Sequence, residues 1–162
     1  MHTIILYNPQ IPQNTGNIVR TCRATGANLV LVKPLGFSID NKSLRRAGLD
    51  YWSGVNVTII DNLIDHLKKE SRPFYFFSSK SQTIYSDIKF DNDAIFIFGS
   101  ETNGLPADYN NLWPEKFLTI PMTIGNRCLN LSNAVSITLY EASRQSGFSF
   151  LKTGIGKSTV GS

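Results

Sequence analysis

What most constrains the fold of this chain is a series of short apolar runs, each closed by a polar or glycine residue and followed by an amphipathic or polar stretch. Residues 4–7, 29–32, 57–60, 74–77 and 94–98 are the clearest of them. Runs this short suit strands better than helices. Their alternation with helical stretches is the pattern of an α/β domain on a mostly parallel sheet. The run 94–98 is apolar throughout and stops at Gly99, which marks a buried strand.

The intervening stretches predict helices over 14–25, with Asn14 as N-cap and Gly26 as C-terminal stop, and over 62–70 and 106–112. A further helix is predicted over 131–145, where Leu131, Ala134, Val135, Leu139 and Ala142 recur at helical spacing. Residues 117–120 read as the last strand, and 33–43 as a loop leading into a short basic helix near 44–47. A length of 162 residues suits one domain, read here as residues 1–150, followed by a flexible Gly/Ser/Thr-rich tail over 151–162.

Hydrophobic residues at 41% against charged residues at 17% exclude a disordered tail protein, and no apolar run approaches the roughly 18 residues of a membrane span. The start, MHTIILYNPQ, lacks the pattern of a secretory signal, so the expected location is the cytoplasm, with no membrane partner. Cys22 and Cys128 form no CxxC pair, and His2 and His66 share no ligand spacing with them; no metal is expected, and buried free thiols are the simple reading. Charge is more informative. Arg20, Arg23, Lys33, Lys42, Arg45 and Arg46 against Asp40 alone place +5 within one early segment of a chain whose net charge is +4. So concentrated an excess suits an anionic partner such as nucleic acid.

Two nucleotide motifs fail. The tail sequence TGIGKST would need glycine at position 151 to make a phosphate loop, and that residue is leucine. No GxGxxG follows any strand. Three segments at predicted strand ends hold the unusual residues instead: residues 12–20 (PQNTGNIVR), residues 98–106 (FGSETNGLP), and IPM at 120–122 with RCLNLSNA at 127–134. Helix caps and turn glycines account for Asn14, Gly16, Gly99 and Gly104. They do not account for Glu101 just past an apolar strand, or for Arg127 and Asn130 just before an apolar helix.

Together and in this order, NxGxxxR, FGxExxGL and IPM with RxLNLSNA resemble the SPOUT superfamily of S-adenosylmethionine-dependent RNA methyltransferases, in its tRNA 2'-O-ribose branch. The stretches RRAGLDYW and SNAVSITLYEASRQ extend the likeness to the short, single-domain bacterial enzymes acting on cytidine or uridine 34 of tRNA, over residues 3–148. The resemblance implies an α/β fold whose mostly parallel sheet has helices on both faces and a C-terminal trefoil knot. It also implies a homodimer, S-adenosylmethionine as cofactor, and the tRNA anticodon stem-loop as substrate. Ribosomal RNA or another tRNA position as target, or a non-catalytic RNA-binding module, stay open beside it.

By the same resemblance, Phe77, Ser78, Gly99, Ile120, Met122, Cys128 and Leu129 hold the cofactor, much of it through backbone groups. Its members often carry serine at the Cys128 position; a main-chain contact survives that exchange, while a hydroxyl donor does not. Arg20 matches the catalytic arginine. A guanidinium stays charged in proteins, so its expected part is to hold a phosphate and ease charge on the attacking oxygen, with Asn14 and Asn130 orienting groups and Glu101 supplying negative charge. Arg20, Lys33, Lys42, Arg45, Arg46 and Arg127 are the expected RNA contacts, and Tyr51 and Trp52 stack on a base or pack against a second subunit. Small Ser132, Ala134, Ser136 and Ser143 beside Tyr140 make the last helix a candidate subunit interface.

Overall fold

The apolar runs become parallel strands; those at 4–7, 29–32 and 94–98 are covered on both faces, whereas 57–60 lies at the sheet edge with Thr58 and Ile59 exposed. A computed structural model describes residues 1–38, 54–125, 127–149 and 151. In these residues the chain runs β1 (Thr3–Tyr7), α1 (Pro12–Thr25), β2 (Asn28–Val32), β3 (Val57–Ile60), α2 (Leu63–Leu67), β4 (Phe74–Phe77), β5 (Ile95–Phe98), α3 (Ala107–Leu112), β6 (Phe117–Leu118) and α4 (Leu131–Gln145). Single 3-10 turns at Tyr85–Asp87 and Pro114–Lys116 were not anticipated from sequence. The strands form one sheet in the order β3-β2-β1-β5-β4-β6, with every neighbouring pair parallel.

Side-chain alternation divides the core in two. Ile4 and Leu6 of β1 join Leu29, Leu31, Phe96 and Phe98 on one face, covered by Ile18, Val19 and Cys22 of α1 and Val135, Leu139 and Ala142 of α4. Ile5 points the other way, with Val30, Val32, Ile95 and Ile97, beneath Leu63 and Leu67 of α2 and Tyr109 of α3. Helices therefore lie on both faces. Register partners stack on each face: Phe77 on Phe98 on the first and Phe76 on Phe117 on the second, each with ring centroids 4.8 Å apart.

Strand order places the functional region. Sequence neighbours run outward from β1 to β3, then the chain returns to build β4, β5 and β6 on the opposite side. The direction reverses between β1 and β5, and open α/β sheets bind their ligands outside the carboxyl ends of strands at such a point. The segments leaving that point are residues 8–11 and 99–106.

Three predicted boundaries are corrected. Asn14 does not cap α1: the helix starts at Pro12, whose missing N–H costs nothing in the first turn, and the N-cap Ile11 offers no side chain. Gly26 ends it as expected, left-handed at φ +73°. Asn62 does cap α2, accepting from the Asp65 N–H at 3.0 Å, but the helix stops at Leu67. β6 ends at Leu118 because the next residue leaves β4: Thr119 N–H donates to Thr83 O and its carbonyl accepts from Tyr85 N–H. The predicted basic helix near 44–47 and the tail from 152 lie outside the described residues.

The small residues of α4 turn inward. Ser132 and Ser143 are buried, and Ser136 Oγ lies 3.1 Å from Thr21 Oγ1 where α4 meets α1 within one chain. Tyr140 stays exposed. Cys22 is the buried free thiol the composition suggested, its pKa pushed up to about 12 by burial, whereas Cys128 is exposed.

Candidate active site

The segment after β5 folds back on itself as a tight loop. Ser100 and Gly104 exchange backbone hydrogen bonds of 3.1 and 2.9 Å, and the Asn103 N–H donates to Ser100 Oγ. Gly104 takes φ +66°, which favours glycine. Gly99 is required for another reason: a Cβ there would lie 2.2 Å from the Gly104 carbonyl carbon and 2.5 Å from Leu105 N. The resemblance gave this glycine to the cofactor; its own loop already needs it.

This loop carries Glu101 to the start of α1. The carboxylate accepts from Gln10 N–H at 2.8 Å, Ile11 N–H at 3.1 Å and Asn14 Nδ2 at 3.0 Å. The helix has no side-chain cap of its own and no acidic residue in its first turn. Glu101 therefore supplies from 90 residues further along the chain the negative charge and acceptors that a local cap normally supplies. Asn14, 6% exposed, passes the connection on: its Oδ1 accepts from Asn130 Nδ2 at 2.9 Å. Asn130 Oδ1 in turn caps α4, accepting from Ser132 N–H and Ser132 Oγ. Because Asn14 must donate to a carboxylate at one end and Asn130 must accept from a helix N–H at the other, both amide orientations are fixed by the chain of bonds. One network thus joins all three sequence motifs.

Above it lies a cavity of about 780 Å³, within the range of roughly 300–1,000 Å³ that small-molecule sites occupy. Every residue expected to hold a cofactor lines it: Phe77 and Ser78 after β4, Gly99 after β5, Ile120 and Met122 after β6, and Cys128 and Leu129 before α4. Asn14, Glu101, Asn130 and Arg127 line it too. Phe77, Phe98, Ile120, Leu129 and Leu131 give it apolar walls, and the loop backbones bring polar edges. A hydroxyl-rich recess of about 370 Å³ adjoins it, bounded by Ser79, Ser81, Thr119 and Thr123. Cys128 Sγ sits 3.2 Å from Ser79 Oγ where the two spaces meet. Sequence reasoning missed Ser79 and Lys80; their place directly after Ser78, at a strand's carboxyl end, was the available signal.

The basic residues separate. Arg127 lines the cavity. Arg20 is exposed on α1 and is not among the lining residues; it stands six residues beyond Asn14, about 9 Å along the helix. Lys33 is exposed and paired with Asp61 at 3.1 Å. Lys42, Arg45, Arg46, Tyr51 and Trp52 lie outside the described residues. Among the described residues, no group of three or more His, Cys, Asp or Glu side chains is placed to hold a metal, and no helix is long and apolar enough to cross a membrane.

A parallel sheet covered on both faces, with a cavity at the carboxyl ends of its strands tied together by three separate loops, defines an open α/β protein with a small-molecule site. Within that class the chain belongs to the SpoU rRNA Methylase family, whose profile matches residues 1–140. It is 44% identical to a protein of Methylovorus glucosotrophus named tRNA (cytidine(34)-2'-O)-methyltransferase, covering 91% of this chain and 97% of that one. A solved structure presented as "Structural insights into the 2-OH methylation of C/U34 on tRNA" is 37% identical, with TM-score 0.85 over 91% of this chain and 97% of the other. The SpoU methyltransferase AviRb of Streptomyces viridochromogenes, solved in complex with AdoMet, shares the fold at 24% identity, with TM-score 0.74 over 89% of this chain and 57% of its own.

Proposed function

We propose that the protein transfers a methyl group from S-adenosylmethionine to the ribose 2'-oxygen of nucleotide 34 in tRNA, acting in the cytoplasm. The observation that carries this reading is the Glu101–Asn14–Asn130 network, which holds three distant motifs around one cavity of cofactor size. The names of the relatives supply the substrate: the Methylovorus glucosotrophus protein is named for cytidine 34 of tRNA, and the solved structure at 37% identity for C/U34.

The residues present fit this cofactor. An adenine takes a flat apolar slot with backbone groups at its edge, which Phe77, Ile120 and Leu129 with the main chain at Gly99 and Cys128 provide. The cofactor carries a cationic sulfonium and ammonium, and Glu101 offers a negative charge among the lining residues. When bound, the cofactor supplies an electrophilic methyl group. The protein's part is chiefly positioning, since a ribose hydroxyl is a poor nucleophile and gains most from being held in line. Asn14 and Asn130 fix the floor of the site, and Arg127 receives an RNA phosphate at its edge.

A homodimer and a trefoil knot in the C-terminal segment belong to this reading, as does one domain over residues 1–150. Arg20 lies outside the cavity of its own chain, and a second copy is what would carry an arginine on that helix to RNA held at the opening. With Lys33, Lys42, Arg45 and Arg46 it forms the proposed surface for the anticodon stem-loop.

Incubation with S-adenosylmethionine and unmodified tRNA, followed by nuclease digestion and mass spectrometry, tests the reading. It predicts 2'-O-methylcytidine or 2'-O-methyluridine at position 34. The matched family is described by ribosomal RNA, so the same assay includes it. Product on ribosomal RNA alone would move the substrate, and no product on either RNA would overturn the enzymatic reading.

A further inference from the structure

Among the described residues, three charged side chains line the cavity: Lys80, Glu101 and Arg127. The donors that Glu101 accepts from are all neutral, so its negative charge stays available to a cation. Lys80 and Arg127 pair with no carboxylate among the described residues. The cavity therefore meets its contents with one uncompensated anion and two uncompensated cations. S-adenosylmethionine brings a sulfonium and an ammonium, which suit Glu101. It also brings one carboxylate, and a carboxylate leaving water needs a cation or strong donors to replace its hydration.

The turn that carries Lys80 is tied to the sheet before any ligand arrives. Ser78 N–H donates to Leu118 O at 2.9 Å, and Lys80 N–H donates to Ser78 Oγ at 3.2 Å. Ser81 N–H returns to Ser78 O at 3.3 Å, and its hydroxyl donates to Phe117 O at 2.7 Å. The exposed Lys80 side chain thus starts from a fixed base three residues beyond Phe77, whose ring belongs to the adenine slot. A base already in place lowers the ordering cost of gripping a small ligand. Next to it, Ser79 Oγ lies 3.2 Å from Cys128 Sγ, a weak hydrogen bonder, and a carboxylate oxygen is the better acceptor for that hydroxyl. Arg127 precedes Cys128 in the chain, and its planar fork matches a phosphate more closely than the point charge of a lysine does.

We propose that Lys80 binds the carboxylate of the cofactor's methionyl portion, with the Ser79 hydroxyl as a second donor, and that Arg127 is thereby left to the RNA. This deepens the function proposed above and rests on its cofactor. Because the ammonium is exposed, water screens part of its attraction, and the contact falls at the lower end for a charge-assisted hydrogen bond, about tenfold in affinity.

The test crosses ligands with variants and is read by calorimetry without RNA. S-adenosylmethionine is compared with decarboxylated S-adenosylmethionine, which keeps the sulfonium and the ammonium and lacks only the carboxylate. Wild type is expected to bind S-adenosylmethionine about tenfold more tightly than the decarboxylated ligand. In Lys80→Met, which keeps an apolar stem and removes the charge, the preference falls to within about twofold, because S-adenosylmethionine weakens while the decarboxylated ligand does not. Lys80→Arg restores most of it. Wild type with no preference overturns the proposal, as does a preference that Lys80→Met retains, even if its KM for tRNA rises. Equal weakening of both ligands also overturns it and marks a structural residue. Arg127→Met is titrated alongside, and a preference lost there but kept in Lys80→Met gives the carboxylate to the arginine and overturns the proposal. A wild-type protein that binds neither ligand overturns the cofactor reading instead.

Discussion

Replacing Glu101 by glutamine separates its two roles, anchor and charge. The carboxylate takes three donors: Gln10 N–H and Ile11 N–H at the start of α1, and Asn14 Nδ2. Glutamine keeps one acceptor oxygen, so at least one of those donors meets an NH₂ group. A lost charge-assisted hydrogen bond costs about 1.5–3 kcal/mol, and a lost charge at a helix N-terminus adds about 0.3–1 kcal/mol. The expected destabilisation is about 2–3 kcal/mol, which lowers Tm by about 5–10 °C in a chain of this length. Scanning calorimetry of wild type and Glu101→Gln reads it directly. A Tm within about 1 °C of wild type, with affinity for S-adenosylhomocysteine alone reduced, would refute the anchoring role and leave Glu101 as a charge facing the ligand.

Three further outcomes are expected. Gly99→Ala places a Cβ 2.2 Å from backbone, so the 99–105 loop must reshape; calorimetric titration should show S-adenosylhomocysteine binding weakened more than about tenfold, with a lowered Tm. His2 is buried, with neither ring nitrogen hydrogen-bonded among the described residues, and desolvation lowers its pKa below the usual 6.5. The unfolded chain then takes up a proton that the fold resists, so stability is full above about pH 6.5 and falls as pH drops below it; urea melts from pH 5 to 8 should show a shallower slope for His2→Phe. Alkylation by iodoacetamide should label exposed Cys128 and spare buried Cys22, with S-adenosylhomocysteine protecting Cys128, as read by peptide mass spectrometry.

Local signals made most of the fold legible. The strands were readable because continuous apolar runs have nowhere to lie but between two helical layers, and α4 because its apolar residues keep one face. The places that failed are those settled by distant partners. Asn14 looked like a cap because nothing in residues 8–14 announces that Glu101 will arrive to do that work. The final strand looked longer because Thr119 is taken by Thr83 and Tyr85, which sequence gives no reason to place beside it.

The site divides the same way. Its cofactor-facing residues follow strand ends and were found there. Beside the site, the hydrogen bonds of Asn8 to the loop after β2 were invisible, since they join a side chain to carbonyls 24 and 26 residues away. Arg20 was assigned from resemblance, and its exposed place on α1 ties its proposed part to RNA and to a second copy of the chain.

A crystal structure with S-adenosylhomocysteine tests the central claim most directly. The account predicts the ligand in the cavity between residues 99–105 and 120–129, its adenine against Phe77 and Leu129, with the Glu101–Asn14–Asn130 bonds intact beneath it. Ligand bound elsewhere on the molecule, or bound there only after those bonds break, would contradict it.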